Sequence, residues 1–120
     1  MTIRRLKTYT GSQGYVYQYY FVGQRPADAT SSKSPATEYI FDVTSDRKTT
    51  YAVSVFLPQK VGAAWNASHG RALRESEQYA AVKLRLFRAF DVVEDMRAMG
   101  RDLQIDVPFL EESLAGLGVE

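Results

Sequence analysis

Residues 38–57 constrain this chain more than any other stretch, because polarity alternates with a period of two on both sides of a short polar turn. Tyr39, Phe41 and Val43 alternate with Glu38, Asp42 and Thr44. Beyond Asp46-Arg47-Lys48-Thr49, Tyr51, Val53, Val55 and Leu57 alternate with Thr50, Ala52 and Ser54. Successive strand side chains point to opposite faces, so each half has an apolar face to bury and a polar one for water. An antiparallel hairpin covered on one side follows. Ile40 and Phe56 interrupt the polar face, which implies partial cover there too.

The preceding segment, GYVYQYYFVG from Gly14 to Gly23, puts Tyr15, Tyr17, Tyr19 and Phe21 on alternate positions, with Tyr20 on the other side. Residues 2–10 read as a weak edge strand, and Gly11-Ser12-Gln13-Gly14 as the turn joining the two. Residues 24–36, rich in Ala, Ser and Pro, predict a mobile loop.

Downstream the period changes. Pro58 starts a short helix to about Ser68 that presents Val61, Ala64 and Trp65 and is closed by Gly70. Tyr79, Val82, Leu86, Phe90 and Val93, three or four apart, predict a long helix from about Glu75 to Met99, stopped by Gly100. Leu84, Phe87 and Met96 widen its apolar stripe beyond one face. Glu77 is placed for a capping box that Arg74 leaves incomplete. DLQIDV reads as a short final strand, with Asp106 capping a terminal helix from about Val107 to Leu117. Strands followed by helices imply an α+β arrangement. The expected architecture is an antiparallel sheet of three to four strands, covered on one face by a long helix and two short helices. With 120 residues, residues 1–120 form a single domain.

Cysteine is absent, which removes disulfides, thiolate zinc sites and cysteine nucleophiles and fits a cytoplasmic location. No apolar run approaches the roughly 18 residues that span a membrane, and the N-terminus lacks the apolar segment of a signal peptide. The charge of 15 basic against 14 acidic residues argues against strong nonspecific affinity for nucleic acid. Its distribution is uneven. Residues 1–25 carry Arg4, Arg5, Lys7 and Arg25 with no acid, whereas residues 101–120 carry Arg101 against Asp102, Asp106, Glu111, Glu112 and Glu120.

The aromatic stripe is the main candidate site. Packed against helices, its rings fill the core, each burying on the order of 150–250 Å². Facing solvent, Tyr15, Tyr17, Tyr19 and Phe21 form a stacking platform beside Arg4, Arg5 and Lys7, suited to single-stranded nucleic acid, or Tyr15, Tyr17 and Tyr19 line a small-ligand pocket. Gly11-x-x-Gly14 joins strands and has no basic residue between its glycines, so it reads as a turn rather than a phosphate clamp. His69 adjoins Ser68, but no orienting acid or nucleophile elbow is visible. Asp91 and Asp95, with no histidine at helical spacing, read as an ion-paired face rather than a metal site. Arg71, Arg74, Arg85 and Arg88 read as ordinary mixed surface. No catalytic residue, metal or cofactor is assigned, and the reading leans away from an enzyme. The apolar surplus on the aromatic strand, at Ile40 and Phe56 and along the long helix points to a non-catalytic interaction domain that self-associates, most simply as a homodimer.

Overall fold

The computed structural model describes residues 6–28 and 35–119. The sheet has five strands in sequential order: β1 (Lys7–Thr10), β2 (Val16–Asp28), β3 (Pro35–Thr44), β4 (Tyr51–Pro58) and β5 (Asp102–Gln104). The first four form an antiparallel meander, and β5 adds to β4 in parallel. The fold is α+β, with one strand more than the sequence suggested and one parallel pairing. A parallel neighbour requires a crossover. Here the crossover consists of α1 (Gln59–His69), α2 (Glu75–Val92) and α3 (Met96–Met99), and α4 (Val107–Gly116) ends the chain's regular structure.

The helices cover one face. α1 lies against β3 and β4, α2 against β4 and β5, and α4 against α1 and α2. The core is the union of the period-two and period-3.6 stripes. Tyr17, Tyr19, Tyr39, Phe41, Val43, Tyr51, Val53, Val55 and Leu57 meet Trp65, Val82, Leu86, Phe90, Leu110 and Leu114. Phe56, on the opposite sheet face, is also buried.

Three boundaries differ from expectation. β2 runs to Asp28 and β3 begins at Pro35, so most of the expected 24–36 loop is paired strand; residues 29–34 lie outside the described residues. The strand continues because a bulge between Phe21 and Gly23 absorbs the glycine. The long helix ends at Val92, and Asp95 caps the separate α3 by accepting from the Ala98 N–H at 3.1 Å. The β-branched pair Val92-Val93, followed by a good cap residue, favours that break. At the start of α2, the Glu77 carboxylate accepts the Arg74 N–H at 2.9 Å, the acid half of a capping box. Both Nη atoms of Arg71 also donate to Glu77, each at 2.9 Å.

The β1–β2 turn depends on two glycines. Gly14 has φ of 92°, and a Cβ on Gly11 would stand 2.6 Å from the Phe90 carbonyl oxygen. That close approach seats the turn on the C-terminal end of α2. Asp91 fastens it there, accepting the Tyr9 hydroxyl at 2.9 Å and the Ser12 N–H at 3.0 Å.

Candidate functional site

Of the aromatic stripe, Tyr17 and Tyr19 face the helices. The Tyr17 ring stacks on Phe90 at 4.2 Å, and Tyr19 meets Phe87 edge-on at 5.7 Å. Phe21 packs on Tyr79 at 5.1 Å. Burial is the main cause that raises the phenol pKa of Tyr17 and of Tyr19 above the ordinary value. Base stacking needs open ring faces, and those of Tyr17 and Tyr19 are closed, with Phe21 partly buried. Tyr15, 49% exposed, and Lys7 do reach solvent, while Arg4 and Arg5 lie outside the described residues. Lys7 adjoins Lys83, whose ammonium pKa is pushed down first by burial and then by Lys7.

The remaining sequence candidates are drawn into structural roles. His69 Nε2 lies 2.8 Å from Glu111, and its ring stacks on Trp65 at 4.0 Å, joining α1 to α4. Among the described residues Ser68 makes no hydrogen bond to His69, so an acid and a histidine meet without a nucleophile. Asp91 and Asp95 belong to different elements, each engaged with backbone N–H groups. No group of three or more metal-ligating side chains occurs among the described residues.

On the sheet face away from the helices the bulge assembles a polar chain that periodicity alone did not reveal. Before it, odd-numbered β2 residues face the helices; after it, the parity inverts and Arg25 stands across from Glu38. Arg25 Nε donates to Glu38 at 2.8 Å, and the Ser54 hydroxyl donates to the same carboxylate at 2.6 Å. The arginine bond is the leading cause holding the Glu38 carboxyl below its usual range, with Ser54 assisting against burial. Beside them Tyr20 donates to Asp42 at 2.6 Å. A buried carboxylate so satisfied is a fastening between strands.

Two features on the outer helical layer have no such structural explanation. The first is an apolar groove where α2 meets the end of α4. Tyr79, Ala80, Phe87 and Lys83 line one half, Phe109, Ser113, Gly116 and Glu112 the other, and Leu84 and Leu117 belong to both. Each half has a volume of about 300 Å³. Leu117 is 50% exposed. The sequence flagged Leu84 and Phe87 as apolar beyond one helix face; Phe109 and Leu117 carried no signal until α4 was placed beside α2.

The second is a cavity of about 360 Å³ between α2, β5 and the start of α4, lined by Arg85, Arg88, Gln104, Asp106, Phe109 and Glu112 among others. Arg85 is half-buried. Its Nε donates to the Gln104 carbonyl at 2.8 Å, and its guanidinium lies 5.9 Å from the Phe109 ring centroid. Arg88, one turn along and exposed, lies 5.7 Å from the same ring. Burial, followed by the charge of Arg88, pushes the Arg85 pKa down, with Asp106 opposing. The three ion pairs among the described residues involve neither arginine.

No helix among the described residues is long and apolar enough to cross a membrane. Comparison with known protein families, curated proteins and solved structures finds no match.

Proposed function

We propose that the chain is a non-catalytic interaction domain that pairs with a second copy of itself through the outer face of α2 and the end of α4. The observation that carries this is the pair of apolar grooves that share Leu84 and Leu117. Solvated apolar surface of this kind marks interfaces. A second copy is the occupant that the charges favour. Lys83 stands in one half of the groove and Glu112 in the other. A two-fold pairing about Leu84 and Leu117 sets the Lys83 end of each copy on the Glu112 end of its partner. Isologous contact of this kind is the commonest route to a closed soluble oligomer.

Leu84→Glu places a carboxylate at the centre of that contact while altering only a half-buried side chain. It is expected to weaken dimerisation by at least about a hundred-fold, the scale of burying an unpaired charge. Analytical ultracentrifugation across a concentration series reads the effect, with circular dichroism confirming the fold. A wild-type chain that stays monomeric at high concentration removes the proposal.

A further inference from the structure

Buried cations in folded proteins are ordinarily paired, because removing a charge from water without a counter-charge is costly. Arg85, half-buried, carries part of that cost with no counter-charge in ion-pair contact among the described residues. Its one hydrogen bond among the described residues goes to a carbonyl through Nε, and neither Nη group donates to an acceptor among those residues. Arg88 adds a second guanidinium with no carboxylate in ion-pair contact among the described residues. The side chains around them are Gln104, Phe109, Pro108, Asp106 and Glu112. The Asp106 carboxylate is committed to the start of α4, where it accepts the Phe109 N–H at 2.9 Å. Phe109 sits near both guanidiniums, and the contact restricts where the two forks can swing.

We propose that this cavity binds the phosphate group of a small phosphomonoester. This goes beyond the self-association reading and does not depend on it. A planar guanidinium matches oxyanions in a two-point fashion. One carboxylate satisfies one such fork, whereas a phosphate, with three terminal oxygens, can be shared between two. The pocket is not uniformly basic, which limits the ligand further. Asp106 and Glu112 line the same space and disfavour a second anionic group. They suit a remainder bearing hydroxyl or amino donors. The volume of about 360 Å³ fits a small metabolite rather than a polymer.

The test is a titration of the whole chain with inorganic phosphate at low ionic strength, read from the arginine Nε–Hε resonances in nitrogen-15 NMR. Saturable shifts of Arg85 and Arg88 are expected. Arg88 is exposed, so Arg88→Gln leaves the fold intact, and it is expected to weaken binding by about ten-fold, the loss of one charge-assisted hydrogen bond. Arg85→Lys keeps the charge, removes the fork and is expected to weaken binding similarly. Acetate is expected to bind several-fold more weakly than phosphate. Binding is expected to survive Leu84→Glu, which separates this site from the dimer contact. The proposal is overturned by an absence of saturable shifts, by an Arg88→Gln variant that binds as wild type, or by acetate matching phosphate.

Discussion

Phe90→Ala tests the central packing relation, the seating of α2 on the aromatic strand. Phe90 has no exposed surface. Its ring stacks on Tyr17 at 4.2 Å with the planes 7° apart, and lies 5.7 Å from Tyr9 and 6.1 Å from Tyr19. Truncating a buried phenylalanine costs about 3–5 kcal/mol, combining lost transfer energy with the cavity left behind. Two features place this site in the upper half of that range. Aromatic pairs contribute about 0.5–1.5 kcal/mol each beyond area, and three are lost here. The hole also resists collapse, because Gly11 already packs against the Phe90 backbone and the Asp91 bonds hold the turn in place. Domains of this size are stable by about 5–15 kcal/mol, so the variant should remain folded but marginal. Urea denaturation followed by circular dichroism measures the change. With a slope of about 1–3 kcal/mol per molar, the midpoint is expected to fall by about 2 M. Val92→Ala, at a site 63% exposed on the same helix, is the control and is expected to stay within about 0.5 kcal/mol of wild type. A Phe90→Ala cost below about 1 kcal/mol would refute the assignment of this helix face to the core.

Two further perturbations probe the ends of α2. The Glu77 carboxyl is held down at about 2, chiefly by Arg71 and then by the Arg74 N–H, against an ordinary value of 4.5. A depressed carboxyl contributes stability that is fully present above its unfolded value and lost as pH falls through the folded one. Stability should therefore decline between about pH 4.5 and 2, and Glu77→Gln should flatten that part of the pH profile; an unchanged acid slope in thermal melts would count against the contact. At the other end, Gly11→Ala drives a methyl toward the Phe90 carbonyl, 2.6 Å from the new carbon. A loss of about 1–3 kcal/mol is expected from overpacking, with faster amide exchange in the β1–β2 turn, and a neutral variant would show that the turn has room to move.

The elements that the sequence revealed are those where a local period matches its burial. The β3–β4 hairpin emerged with its turn and facing correct because each strand buries one alternating set, Tyr39, Phe41 and Val43 against Tyr51, Val53 and Val55. α2 was found through Val82, Leu86 and Phe90 for the same reason. Val93 extended that periodicity past the true end, since an apolar residue fits an i+3 pattern whether or not the backbone is still helical. β5 was readable as a strand, but its parallel attachment to β4 is a tertiary choice, made by the Ser54 N–H on the Arg101 carbonyl at 2.8 Å and the Ile105 N–H on Phe56 at 3.0 Å. Glu111 was counted only as part of an acidic end, because its partner His69 is 42 residues away in sequence.

Arg25 shows why the candidate sites were harder to read than the fold. As part of a presumed loop it had no face, and extending the β2 alternation through it would point it into the core beside Tyr17 and Tyr19. One extra residue between Phe21 and Gly23 inverts the side assignment and delivers the guanidinium to Glu38. A charge that the period sends inward is brought outward by a backbone irregularity, and the partner it meets is on another strand. Arg85 is the opposite case. Its position on α2 is regular, and it becomes unusual only because β5 and α4 close over it without bringing a carboxylate into ion-pair contact among the described residues. Helical spacing reports which residues share a face, whereas the cost of a buried charge depends on what the neighbouring elements bring to it. The lack of an ion pair to this guanidinium among the described residues is therefore a property of the assembled layers, and the proposed phosphate site rests on it where sequence periodicity indicated only mixed surface.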